Sequence, residues 1–392
     1  MLLPVVLAGA CAFLDVYATQ PLLPLLQQVF HSTKVAVSLT ITASTMGVAL
    51  AAPLIGRLAD RRGRKQTIVT AALLLSAVTF FATLSFNLNE LIFWRFLQGI
   101  FTPGIFVVTI AYIHEEWPTA KIGSAMAAYV SGTVIGGFSG RLVAGITAQH
   151  TNWRWSFLVL GLLNLMIALA IKKWLPEERN FTRIAQSRPS HHLALDHLSN
   201  RRLSATYAVG FCVLFTLVAT FTYVVFRLAE PPFRLSPAAL GSIFFVYLVG
   251  ALVTSFSGYF IDRHGHRFPL AISAAIGILG VLLTLGTSLG FVIAGLAICC
   301  TGVFIAQAVS TSYIGTVAEH SRALAVGLYV TSYYAGGSVG ATAPAWLWDW
   351  GGWPACVALV VTVQVITAGI ALVFWSRPLG DNAALDTNIG FE

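Results

Sequence analysis

The sequence predicts an all-α membrane protein of twelve transmembrane helices arranged as two pseudo-symmetric six-helix bundles. Composition is the first reason. Of 392 residues, 57% are hydrophobic and 10% charged, with a mean hydropathy of +0.80. A soluble domain carries about a quarter charged residues, so most of this surface must face lipid. The second reason is the spacing of apolar runs. A helix needs about 20 apolar residues to cross a hydrocarbon core about 30 Å thick. Such runs fall at about 2–26, 36–56, 66–86, 90–113, 122–148, 153–174, 203–227, 237–260, 268–287, 289–314, 322–348 and 353–375. The third reason is an internal repeat, described below.

The first run, MLLPVVLAGACAFLDVYATQPLLPLL, has no basic n-region, carries Asp15 and continues apolar past Ala18. It therefore reads as a spanning helix and not as a secretory leader, with almost no N-terminal tail. An even number of spans puts both termini on one side, and charge decides which. Loops after even-numbered runs, together with the C-terminal tail, hold seventeen Lys and Arg, the opposite loops hold four, and Arg95 and Arg141 lie within runs. Both termini are expected to be cytoplasmic. Residues 176–202 are polar and divide the chain into bundles at 1–175 and 203–376, linked through the cytoplasm and followed by a cytoplasmic tail at 377–392.

The net charge of +8 follows this loop asymmetry, so no nucleic-acid partner is expected. The five cysteines, Cys11, Cys212, Cys299, Cys300 and Cys356, all fall in apolar runs without CxxC spacing. They read as packing residues, and no metal or cofactor is expected. All nine histidines lie in or beside loops and neither HExxH nor GxSxG occurs, which argues against an intramembrane enzyme. A self-contained repeat also argues against a channel, which usually assembles its filter from rings of residues.

The repeat pairs GRLADRRGRK from Gly56 with GYFIDRHGHR from Gly258, Gly136-Gly137 with Gly336-Gly337, and Trp153 with Trp353, at offsets of 202, 200 and 200. Duplicated six-helix units of this kind place a substrate site at their interface, near the membrane midplane. In the first copy, glycines allow a tight turn and close helix approach. Asp60 can sit at a helix N-terminus or accept arginine hydrogen bonds, so the loop can act as a conformation-dependent latch. Its residues are Gly56, Asp60, Arg61, Gly63 and Arg64, with Asp262, Arg263, Gly265 and Arg267 in the second copy.

Asp15 is the one carboxylate plainly embedded in a run, and Arg95 needs water or a partner at membrane depth. At 1.5 Å per residue, Asp15 lies about 20 Å from the cytoplasmic start of its helix and Arg95 about 8 Å from the outer start of its own. Both fall near one level in the outer half, where they can share a cavity. Two roles stay open for them: a proton-titrating acid with an arginine that biases it, or a fixed structural pair. In YVSGTVIGGFSGRLVAG, the glycines Gly132, Gly136, Gly137 and Gly140 allow close helix contact, expected with the eighth or eleventh span. Arg141 is either an interface charge or a substrate contact. Candidate cavity residues are Tyr17, Gln98, Arg141, Tyr223, Tyr247, Tyr333 and Tyr334; Trp94, Phe101, Phe215, Phe244 and Tyr329 are further aromatics on the same set of spans. The tryptophans Trp346, Trp348, Trp350 and Trp353 are accounted for as an interfacial belt.

GRLADRRGRK matches the signature loop of the major facilitator superfamily at every fixed position, and LIFWRFLQG around Arg95 resembles the arginine motif of its fourth helix. Thr19–Leu26, Ser131–Leu142, Asn152–Phe157, Leu175–Phe181 and Thr331–Gly340 resemble the YnfM-like branch, near the drug:proton antiporters. The fifth helix departs from the antiporter pattern, with Gly137 in the usual proline position and Arg141 in place of a late small residue. The resemblance implies a bacterial inner-membrane permease that moves small molecules by alternating access, driven by protons; a monomer is expected because the pseudo-symmetric pair already builds the pathway. Its leading form is export of apolar or cationic compounds. The competing form is uptake of a small organic anion, with Arg95 or Arg141 as anchor.

Overall fold

The computed structural model describes residues 2–179, 197, 199–254, 263–317 and 322–375. Helix is present in each of the twelve apolar runs, and among the described residues there is no strand. The elements are α1 (Leu3–Leu14), a 3₁₀ turn (Gln20–Leu22), α2 (Leu23–Val29), α3 (Lys34–Arg62), α4 (Arg64–Thr83), α5 (Leu88–Phe101), α6 (Pro103–Glu116), α7 (Thr119–His150) and α8 (Trp153–Trp174). Then follow α9 (Arg201–Ala229), α10 (Pro237–Ser242), a 3₁₀ turn (Ile243–Phe245), α11 (Val246–Thr254), α12 (Arg267–Leu283), α13 (Leu289–Val317) and α14 (Arg322–Phe374). Among the described residues, seven helical stretches are long and apolar enough to cross a membrane by length and composition. One of these, within α14, holds two runs in one, because the backbone leaves helical geometry at Gly351 and Gly352.

Local chemistry sets the boundaries. Thr33, Asn87, Asn152, Asn200 and Ser236 each cap a helix start by accepting backbone N–H bonds, satisfying donors that the first turn leaves open. Proline breaks two runs. Pro21 has no N–H and its ring crowds the carbonyl four residues back, so the first run loosens between Leu14 and Gln20. Pro103 divides α5 from α6 in the same way.

The glycine stripe of α7 corrects the expected partner. A side chain at Gly132, Gly136 or Gly140 would overlap the carbonyl oxygens of Val6, Ala10 and Leu14. The stripe therefore packs on α1 and not on the eighth or eleventh span, because positions i, i+4 and i+8 share one helix face. Gly145, further along, meets Pro237 of α10. The second half repeats the arrangement. Gly336 and Gly340 of α14 sit against Phe211 and Phe215 carbonyls of α9, and Ser332, in the place of Gly132, donates to the Tyr207 carbonyl at 2.9 Å. The mirrored contacts Ser156 to the Ala144 carbonyl and Cys356 to the Pro344 carbonyl complete the internal symmetry.

The predicted loop joins α3 to α4. Gly63 takes φ +98°, open to glycine and strained for other residues, and Gly265 takes φ +71°. Gly56 meets nothing within 4 Å among the described residues, so of the two first-copy glycines Gly63 is the one the turn needs. Asp60 pairs with Arg64 at 2.7 Å, and Arg64 reaches Glu115 of α6, also at 2.7 Å. Arg61 is exposed. Lys65 pairs with Glu177 at 2.8 Å, its backbone N–H donates to Glu178 at 3.1 Å, and Tyr112 donates to the Pro176 carbonyl. The chain leaving α8 is thereby tied to the loop. In the second copy Arg263 is exposed and Arg267 begins α12. Asp262 and Gly258 lie outside the described residues, as do residues 180–196 and the tail from 376.

Candidate functional site

A cavity of about 590 Å³ lies between the two halves, a size suited to a small organic ligand. Phe13, Tyr17, Val134, Gly137 and Arg141 line it from the first half; Leu214, Tyr247, Phe304, Gln307, Thr311, Tyr333 and Tyr334 line it from the second. Arg141 and Tyr247 stand at mid-depth, while Thr311 and Ser312 carry the lining toward the Gly63 end of the molecule. At the opposite end the halves touch. Gln20 donates to Thr222 at 3.1 Å, Tyr223 to Ser38 at 3.4 Å, and Thr45 shares a 2.8 Å hydrogen bond with Ser338. Lys34 pairs with Glu230 at 3.2 Å and lies 5.1 Å from the Trp348 ring. The backbone N–H of Ala238 donates to Gln149.

Of the expected cavity residues, Tyr17, Arg141, Tyr247, Tyr333 and Tyr334 border the cavity. Tyr223 belongs to the sealed end, where its hydroxyl also donates to the Ala341 carbonyl at 2.9 Å. Gln98 is buried behind α1. Phe244 packs its ring on Arg141 without lining the cavity, and Trp94 stacks on Phe81 at the rim of a separate groove. Sequence reasoning missed Phe13, Gln307 and Thr311. A signal existed: Gln307 and Thr311 are polar and four residues apart in one helix, so they share a face.

Asp15 and Arg95 are brought together, but not in the cavity. Phe13 and Tyr17, four residues apart, turn one face of the first run toward the cavity. Asp15, midway between them, must then turn away, because two residues are about 200° around a helix. Its Oδ2 accepts from Thr79 at 2.7 Å and from Asn164 at 2.6 Å, and its Oδ1 has no partner among the described residues. Arg95 is fully buried. Its guanidinium donates to the backbone carbonyls of Asp15, Val16 and Thr40, to Ser44 and to Gln98. Gln98 passes a hydrogen bond to Thr79 at 2.8 Å, closing a chain from Arg95 to the Asp15 carboxylate. The shared cavity expected from depth alone is thus replaced by a shared polar network behind the cavity wall.

Arg141 is 2% exposed and stands at the cavity face. Its Nε donates to Gln20 at 2.7 Å and its Nη1 to the Gly137 carbonyl at 2.6 Å. The rings of Tyr17, Phe244 and Tyr247 lie 5.0, 4.5 and 4.9 Å from its central carbon, within cation–π range. A Cβ at Gly137 would sit 3.4 Å from Nη1. The two departures from the antiporter pattern, glycine at 137 and arginine at 141, therefore touch: the guanidinium lies against Gly137 and bonds its carbonyl. Among the described residues no group of three or more metal-ligand side chains occurs.

Comparison with known proteins agrees with this architecture. The family model described as Major Facilitator Superfamily matches residues 5–230 and again 228–387. The chain is 32% identical over 360 residues to the uncharacterized MFS-type transporter YybF of Bacillus subtilis (strain 168), covering 92% of this chain and 89% of that one. It is 33% identical over 365 residues to the inner membrane transport protein YnfM of Escherichia coli (strain K12), covering 92% and 87%. A solved bacterial homolog of the human lysosomal transporter Spinster superposes with a TM-score of 0.78 at 17% identity, covering 95% of each chain, a likeness of fold. A duplicated helical unit, a cavity between its copies and a family model that matches twice in succession identify this chain as a multi-pass membrane transporter of the major facilitator superfamily.

Proposed function

We propose that this protein is a proton-coupled secondary transporter working by alternating access, with a small organic cargo held in the central cavity. One observation carries the reading: the cavity lies between the halves and reaches Ser312, which bonds His266 beside the second copy of the Gly63 loop, while the halves are joined at the other end by Gln20–Thr222, Ser38–Tyr223 and Lys34–Glu230. Opening that seal requires the halves to move relative to each other, as a rocking mechanism does. The charge asymmetry of the loops makes the Gly63 end cytoplasmic, so this conformation faces inward. In this reading twelve spans form bundles at 1–175 and 203–376 in a bacterial inner membrane, and a monomer suffices because the two halves build the pathway. The Asp60–Arg64–Glu115 contacts act as the latch, bracing α3, α4 and α6 as the first half moves.

Asp15 serves as the proton-carrying group and Arg95 as its partner. The support is chemical: a lone carboxyl at membrane depth, with one oxygen unpartnered, is a group that can hold a proton at modest cost. The aromatic lining suits a cargo with an apolar body. The cationic cargo of the leading expectation is disfavoured, because among the described residues the one charged side chain lining the cavity is Arg141 and like charges repel strongly in a medium of low dielectric. The resemblance favours export, an anion anchored on Arg141 belongs to the uptake reading, and the sign of the proton movement in the test below separates the two.

The test is reconstitution of the purified chain in liposomes carrying an internal pH-sensitive dye, screened against neutral, anionic and cationic aromatic compounds. Compound-dependent proton movement is expected. Uptake or release of a compound with no accompanying proton flux would remove the coupling and leave the transporter.

A further inference from the structure

The buried charges do not balance, and the imbalance sits on the cavity wall. Among the described residues, the charged side chains buried at depth within the spans are Asp15, Arg95 and Arg141; Arg64, also buried, lies at the loop and has its own acids. Asp15 and Arg95 belong to one hydrogen-bonded network behind α1. Arg141 is left over. The titratable groups nearest it are the phenols of Tyr247 and Tyr17 and the thiol of Cys300, all neutral near pH 7. Its hydrogen bonds go to an amide oxygen and a backbone carbonyl, and its Nη2 has none among the described residues.

We infer that the cargo is an organic anion with a flat apolar body, whose carboxylate or equivalent acidic group binds Arg141. This rests on the reading of the cavity as the cargo site. A buried guanidinium without a counter-ion is costly, and ring faces and two neutral acceptors compensate only part of that cost. An arriving carboxylate supplies the missing charge and meets an arginine already oriented. Nη2 is open to it, and the planar fork of the guanidinium matches carboxylate geometry. The arginine is held in place by Gln20, Gly137 and three aromatic rings, so little side-chain freedom is lost on binding. The apolar body then lies among Phe13, Tyr333 and Tyr334. Gln20 extends the consequence. Its carbonyl oxygen accepts from Arg141 while its amide nitrogen donates across the interface to Thr222. An anion that draws the guanidinium toward the cavity therefore acts directly on a contact of the sealed end.

The test uses the full chain in nanodiscs and isothermal titration calorimetry with three isosteric sets, the carboxylate, carboxamide and methylammonium derivatives of benzene, naphthalene and indole. At least one carboxylate is expected to bind ten-fold or more tightly than its amide, with its ammonium counterpart weaker still. R141Q should bring acid and amide within about threefold, and R141K should restore part of the preference, with both variants melting near the parent temperature. The selectivity of the parent protein decides the matter even if R141Q misfolds. Ammonium or amide derivatives binding as well as the acids would overturn the anion assignment and leave the transport reading standing. Absence of binding in all three sets would overturn both.

Discussion

The guanidinium of Arg95 approaches Asp15 through its backbone carbonyl, at 2.8 Å from Nη1, and not through its carboxylate. Pro21 loosens the helix at this point, and the carbonyls of Asp15 and Val16 lose their usual partners four residues ahead. Ala18 N–H and the Ser44 hydroxyl reach these carbonyls at 3.0 and 2.9 Å, and Arg95 adds charged donors from α5, bracing the bend that presents Tyr17 to the cavity and Gln20 to Arg141. Arg95 reaches the carboxylate only through Gln98 and Thr79. Charge coupling and backbone support therefore reside in the same residue.

Arg95 variants separate these two roles. R95Q removes the charge beside Asp15 and most of the donors, and breaking a buried charged network costs about 3–5 kcal/mol. R95K keeps the charge, but three ammonium donors cannot serve five acceptors. The lost contacts should cost about 0.5–1.5 kcal/mol each, because Ala18 and Ser44 still serve the Asp15 and Val16 carbonyls. Thermal melting of purified protein reads both. An R95K melting temperature equal to that of the parent would show that the carbonyl contacts are dispensable.

D15N preserves the size of the side chain and an oxygen for Thr79 and Asn164, yet cannot release a proton. Transport driven by a cargo gradient should persist, whereas dependence on an imposed pH gradient should vanish. A D15N protein that still concentrates cargo in response to the pH gradient would assign the proton to another group.

Glycine positions divide sharply. G140A would press a methyl group into the Leu14 carbonyl and G136A into that of Ala10, backbone atoms that cannot yield locally. Both variants should fail to give monodisperse protein on size exclusion. G123A, G315A and G369A meet nothing within 4 Å among the described residues and, lying inside helices, should leave stability unchanged or raise it by up to about 1 kcal/mol. Normal folding of G140A would mean that α1 and α7 are further apart than described.

The Lys34–Glu230 pair crosses the halves with the Glu230 side chain about half exposed (51%). Such a pair contributes up to about 1 kcal/mol, equivalent to about a fivefold shift in a conformational equilibrium. In a K34A background, S38C should react two- to fivefold faster with an impermeant maleimide added from the sealed end. The same labelling rate with and without Lys34 would mean that the pair adds nothing to the seal.

Much of this protein is determined by sequence alone, because lipid imposes simple demands. Spanning length, loop charge and backbone satisfaction within each helix are local properties, so the apolar runs, the duplication at offsets of 200 to 202 and the turn at Gly63 are all legible in order along the chain. Arg141 is legible as an unusual residue, and its contact with Gly137 is foreshadowed by two departures four residues apart.

Which face meets which neighbour is a different matter. Depth placed Asp15 and Arg95 at one level, but only the packed helices decide that Asp15 turns away from the cavity, that Arg95 bonds to backbone carbonyls at the bend before Pro21, and that the stripe Gly132, Gly136 and Gly140 meets α1. Those outcomes depend on the rotation of each helix about its axis. That rotation is set by the summed packing of side chains from several distant segments, and in an apolar solvent no polar-outside rule reveals it from a single helix.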